Sequence, residues 1–122
     1  MQYLVQLRMV SSGRPMSPND GIAFIEDLIF PTLERCEKLQ EEKKILAGGP
    51  MSGSVALALI VTTDSAQELD DVITSLPVWP RMETNVIPLT TFNGRRRSLL
   101  SRLAALKAQA SKLGNSQPDG DR

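Results

Sequence analysis

The 122-residue sequence contains no histidine. Without an imidazole there is no Ser-His-Asp triad, no Cys-His dyad, no histidine general base and no histidine-ligated metal. Cys36 is the one cysteine, so neither an intramolecular disulfide nor a multi-cysteine zinc site can form. A lone thiol fits a reducing compartment, and a cytoplasmic location is the expectation. No apolar run approaches the roughly 18 residues of a membrane span. Met1-Gln2-Tyr3-Leu4 lacks the basic stretch that opens a secretory signal, and none is expected. What is present is ordinary for a globular domain: 41% hydrophobic and 23% charged residues, in a chain long enough to bury a core without staples.

The net charge of zero hides an asymmetry. Residues 1–92 carry 7 basic and 12 acidic side chains. Residues 93–114 carry Arg95, Arg96, Arg97, Arg102, Lys107 and Lys112 and no acid. An acidic body followed by a basic arm suggests nucleic acid, a membrane surface, or an acidic protein neighbour. The arm lacks interleaved aromatics and spends one face on leucine, which argues against nucleic acid and membrane and for subunit packing.

Hydrophobic periodicity orders the elements. Residues 3–10 alternate as a strand, with Tyr3, Val5, Leu7 and Met9 on one face and Gln6 and Arg8 on the other. Ser11–Pro15 is a loop. Ser17-Pro18 starts a helix, Ser17 as N-cap and Pro18 in the first turn, that runs to about Lys44 with a kink or break expected at Pro31. Its stripe is Ile22, Ile25, Ile29, Leu33 and Cys36. Residues 45–48 form a short strand, 48–53 a turn, and 54–62 a strand expected to be covered on both faces. Ser65 and Glu68 fit a capping box for a second helix that buries Leu69, Val72, Ile73 and Leu76 and ends at Pro77. Val78-Trp79-Pro80 is a rigid elbow, and 83–89 the last strand, with Pro88 marking an edge or bulge. Residues 95–113 form a third helix with Leu99, Leu103, Leu106, Ala110 and Leu113 on a heptad seam and Gly114 as cap. Residues 115–122 are expected to be a disordered tail.

The expected fold class is α+β, a ferredoxin-like β-α-β-β-α-β domain over residues 1–92 with an added C-terminal helix as an oligomerisation arm over 93–114. Two helices cover one face of the sheet, and a second copy is expected to cover the other.

Glu26 is the most informative polar residue. At about 100° per residue it falls about 40° from Ile22, within or beside the apolar stripe. A carboxylate turned toward a sheet is costly, so it reads either as a general base with a raised pKa or as a stripe-edge residue that reaches water. Arg8 and Arg81 are candidate anchors for a substrate carboxylate. Tyr3 and Trp79 are candidate cavity-lining residues, and Cys36 reads as an inert buried thiol. No metal site and no cofactor is expected.

Several stretches resemble the muconolactone isomerase family. Leu76-Pro77-Val78-Trp79-Pro80-Arg81-Met82 is similar to that family's Leu-Pro-hydrophobic-aromatic-Pro-x-Met ahead of the last strand. Met16-Ser17-Pro18 resembles its Met-Asp-Pro, and Leu46-Ala47-Gly48 its Ile-Ala-Gly. The similarity covers roughly residues 1–90. It implies a dimeric α/β barrel that can assemble further, and a cofactor-free isomerisation that moves a proton on an unsaturated lactone through a dienolate, in aromatic-compound catabolism. Two departures stand out. The family's first helix carries adjacent acidic and basic residues, whereas this one reads Glu26-Asp27-Leu28-Ile29. The histidine that follows the family's Ile-Ala-Gly is replaced here by Gly49. The expected function is a small-molecule isomerase with Glu26 as base. The alternatives are a non-catalytic ligand-binding or assembly protein on the same fold, which an apolar cavity under the first helix would favour, and an adaptor that uses the basic arm.

Overall fold

Alternation along the chain sets the sheet. In β1 (Gln2–Met9), Val5 and Leu7 are fully buried while Leu4 and Gln6 remain half-exposed. β1 pairs antiparallel with β3 (Ala56–Thr62) on one side and β4 (Met82–Leu89) on the other, and β2 (Ile45–Pro50) joins outside β3. The order is β2-β3-β1-β4, the ferredoxin-like arrangement. The computed structural model describes residues 1–10 and 16–116. The expected loop at 11–15 and the expected tail from 117 lie outside them. Both prolines of the sheet, Pro50 and Pro88, sit on its two edge strands, where a missing N–H costs no ladder bond.

Residues 48–50 were expected to turn but continue β2, and the reversal follows at 51–55. Gly48 has φ +131°, and a Cβ there would strike the Ala58 carbonyl oxygen, so only glycine lets β2 lie this close to β3. β3 is buried on one face only: Leu57, Leu59 and Val61 are buried, and Ala58, Ile60 and Thr62 are half-exposed. The helices cover a single face, so the expectation of cover on both sides is corrected.

The first helix begins as expected. Ser17 Oγ accepts the Asp20 N–H at 3.1 Å, and Pro18 occupies the first turn of α1 (Pro18–Ala23). The helix then widens into a π turn (Phe24–Ile29) before α2 (Phe30–Glu41). The Phe30 N–H bonds back to the Ile25 carbonyl, five residues away. Pro31 explains the widening. It has no N–H to donate, and its ring would crowd the carbonyl four residues earlier in a regular α-helix. α2 ends in a Schellman motif, with Lys44 N–H on the Leu39 carbonyl and Lys43 N–H on the Gln40 carbonyl. Lys43 takes the left-handed position with φ 62°.

α3 (Ala66–Thr74) buries Leu69, Val72 and Ile73. Ser65 Oγ accepts the Glu68 N–H, and the Glu68 carboxylate accepts the Asp64 N–H, one residue earlier than the usual capping box. The elbow is a 3₁₀ turn (Trp79–Arg81). Val78 within it is fully buried, and its N–H donates to Thr32 Oγ1 at 3.1 Å. Thr32 is itself only 2% exposed. This bond joins residues 46 positions apart and pins α2 over the elbow. The core gathers these helices and the covered sheet face around Leu7, Leu39, Val61 and Leu76.

The chain divides into two compact units, Met1–Leu89 and a second that starts at Thr90. The second contains α4 (Phe92–Ser116), whose start is capped by Thr91 Oγ1 on the Gly94 N–H at 2.9 Å. Gly114 was expected to end this helix but lies inside it, since nothing forces a left-handed residue there. No helix of the described residues is long and apolar enough to cross a membrane.

Two outcomes follow from this packing. Thr32→Val keeps the shape but leaves the Val78 N–H buried and unpaired, so urea unfolding should show a loss of about 1–3 kcal/mol, and Thr32→Ser should lose less. The second concerns Cys36, which packs half-buried against the core. Burial pushes its thiol pKa up, and Arg35 pulls it part of the way back. Iodoacetamide should therefore alkylate the native thiol with a pH midpoint above that of the urea-unfolded chain. The linkage has a definite sign: the contribution of Cys36 to stability is complete below the unfolded thiol's pKa and is lost as pH rises through the folded one.

Candidate ligand-binding site

A cavity of about 480 Å³ lies between the first helix and the covered face of the sheet. The π turn and α2 supply its roof through Phe24, Ile25, Ile29, Thr32 and Leu33. The sheet, the hairpin and the elbow supply its floor through Met9, Val55, Leu57, Val78 and Met82. Met16, Ile25 and Val55 are exposed and mark its mouth. Its size falls within the range of small-molecule pockets, roughly 300–1,000 Å³. Three unbranched methionines, Met9, Met16 and Met82, give the wall a shape that adapts to its contents.

The wall is almost wholly apolar. Among the described residues, Thr32 and Ser54 contribute the only polar side chains of the wall, and none that lines it is charged. Thr32 Oγ1 accepts the Val78 N–H, and a hydroxyl in that role still has its own proton to donate. The described wall therefore offers apolar surface and a hydroxyl donor, and no charge to pair with one on a ligand. Among the described residues no group of three or more acidic or thiol side chains could hold a metal ion.

A second cavity of about 260 Å³ lies beside the first, with Cys36, Glu37, Gln40, Ile45 and Leu59 in its wall. Leu33, Pro50 and Leu57 line both cavities.

The residues singled out from sequence do not converge on this space. Glu26 was expected to face the sheet, and the structure corrects that: it is exposed and absent from the cavity wall. The angular estimate assumed a regular α-helix. In the π turn each residue advances the helix by a smaller angle, so Phe24 turns inward while Ile22 and Ile25 become exposed. Arg8 is exposed on the open face of the sheet, level with Ala56 and Glu83. Arg81 is exposed at the end of the elbow. Tyr3 lies on the covered face, half-buried, and its hydroxyl donates to Met1 Sδ at 3.3 Å. Trp79 is 39% exposed and lines neither cavity, while its neighbour Val78 fills the buried position of the elbow. Thr32 and the methionines were missed. The available signal was Pro31, which marks the place where a regular helical wheel stops being valid.

The comparisons agree with this geometry. The family model described as muconolactone delta-isomerase matches residues 1–94. A crystal structure of muconolactone isomerase at 3.3 Å resolution superposes with a TM-score of 0.61 at 22% identity, over 75% of this chain and 90% of that one. At that identity the likeness carries the fold. No curated protein matches the chain. The matched segment contains the whole sheet, the helices that cover it and every residue of the two cavities, and on that evidence the chain belongs to the muconolactone delta-isomerase family.

Proposed function

We propose that this chain binds a small, uncharged carbonyl compound of the lactone class in the apolar cavity, without a cofactor. The carrying observation is the wall, whose described residues offer two hydroxyls and no charge around about 480 Å³. A carboxylate buried there without a partner would be heavily penalised, so any charged group on the ligand stays at the mouth. The Thr32 hydroxyl donates to the ligand's carbonyl oxygen, and the elbow holds that hydroxyl in place through Val78. Membership of an isomerase family supports the lactone class.

A second reading is catalytic: intramolecular proton transfer on an unsaturated lactone in aromatic-compound catabolism. It is supported by the family alone. Glu26 is the base that the sequence offers for this reading, although it is exposed and outside the cavity wall, and Arg8, Arg81, Tyr3 and Trp79 are the further substrate-binding candidates. A carboxylate base suits abstraction next to a carbonyl, and a donor such as Thr32 stabilises the charge that develops on oxygen.

We also propose a homo-oligomer, with residues 93–114 as its arm. The open face of the sheet leaves Leu4, Ile60 and Ile87 partly or fully accessible, and the first helix exposes Ile22 and Phe30. Leu99, Leu103 and Leu106 are exposed along α4. Apolar surface of this extent favours burial against further copies. The basic arm complements an acidic body, which favours protein neighbours over nucleic acid or membrane.

Three measurements bear on these readings. δ-Valerolactone added to protein labelled at its methionine methyls should shift Met9, Met16 and Met82 and leave Met1 in place, whereas unmoved signals at all three would refute lactone binding. If Glu26 is the base, Glu26→Gln should cut muconolactone turnover by about 10²–10⁴-fold and leave the methyl shifts intact. Equal rates in the two proteins remove it from that role. Light scattering should give a mass above 13.4 kDa for the full chain and a smaller particle after truncation at Phe92. A monomeric full chain at micromolar concentration would end the assembly proposal.

A further inference from the structure

We infer that the two cavities are arms of one binding site, and that its ligand is elongated, with a lactone-type head in the larger arm and an uncharged apolar tail in the smaller. The inference rests on the ligand-binding reading above. Leu33, Pro50 and Leu57 line both spaces, so the cavities meet along a shared wall. Leu33 is the part of that wall supplied by α2. It lies on α2 one residue after Thr32, so a head bonded to the Thr32 hydroxyl sits next to the partition.

The smaller arm has the chemistry of a tail site. Its inner surface is built from Ile45, Leu57 and Leu59, all buried, with the half-buried Cys36 thiol among them. Gly48 contributes backbone without a side chain and cannot do otherwise, because a Cβ there would strike Ala58. Among the described residues, its charged and amide side chains are Glu37 and Gln40, both exposed. The Glu37 carboxylate repels a tail that ends in a carboxylate, whereas an alkyl or hydroxyl end meets no such charge. The site thus selects an uncharged tail.

The position of Cys36 makes the proposal testable, because it is the chain's single thiol and lies in the smaller arm only. The probes are δ-valerolactone, which is a bare ring, and δ-dodecalactone, the same ring with an alkyl tail. Both should shift the Met9 and Met82 methyls. Only the tailed lactone should slow alkylation of Cys36, in proportion to occupancy. It should also bind more tightly by about tenfold or more, since each buried methylene is worth about fourfold in affinity. Gln40→Trp adds bulk at the rim of the smaller arm, which is the only one Gln40 lines, and it should preserve the response to δ-valerolactone while removing the advantage of the tail. The inference is overturned if δ-dodecalactone shifts the methionines but leaves Cys36 labelling unchanged, or if its advantage survives in Gln40→Trp. If neither lactone moves the methionines, the ligand-binding reading fails and this inference falls with it.

Discussion

Pro31 removes one N–H from a helix that must lie across the sheet, and its ring displaces the carbonyl four residues earlier. The chain answers by opening a π turn over Phe24–Ile29, with the Phe30 N–H reaching back to Ile25. This local widening rotates everything that precedes it. Phe24 swings under the helix to become the buried residue of the turn, and Glu26 swings out to solvent. On the far side of the proline, Thr32 is presented to the elbow, where it accepts the N–H of a fully buried Val78. A missing hydrogen bond in one helix thus sets both the apolar character of the cavity roof and the anchor that holds the roof up.

The cavity is the counterpart of that anchor. Thr32 and Val78 fix the distance between α2 and the elbow, and the sheet is fixed by its own ladders, so the space between cannot simply collapse. The core proper, around Leu7, Leu39, Val61 and Leu76, is fully buried. Its neighbour, roofed by Phe24 and Ile29 and floored by Met9 and Met82, stays open and adaptable. A fold that left this much apolar wall without contents would forgo contacts that close packing supplies. A ligand of the proposed class would restore them.

The chemistry of the wall also separates fold from activity. A family of isomerases supplies the architecture over residues 1–94, yet no charged side chain among the described residues lines this cavity. The same layers can hold such groups or omit them, because the side chains that point between helix and sheet are few and replaceable. Glu26, Arg8 and Arg81 are all exposed, and none of them lines this cavity.

The strands, the two capped helices and the edge position of Pro88 were legible in the sequence. Alternation, Ser17 and Ser65 caps and missing N–H groups act through neighbours only a few residues away. So was the family resemblance, carried by the Leu76–Met82 stretch and the Leu46-Ala47-Gly48 triplet. The face of the first helix was not legible, because a wheel drawn at a constant angle fails across a π turn. Nor was the extent of α4, which runs through Gly114 where local statistics would end it. The sequence by itself determined which segments become strands and helices and how the strands pair, since hydrophobic periodicity and capping are local properties. Only the tertiary structure decided which side chains meet in the cavity. That outcome depends on a contact across 46 residues, between Thr32 and Val78, and on a helical register that the proline shifts by less than one turn.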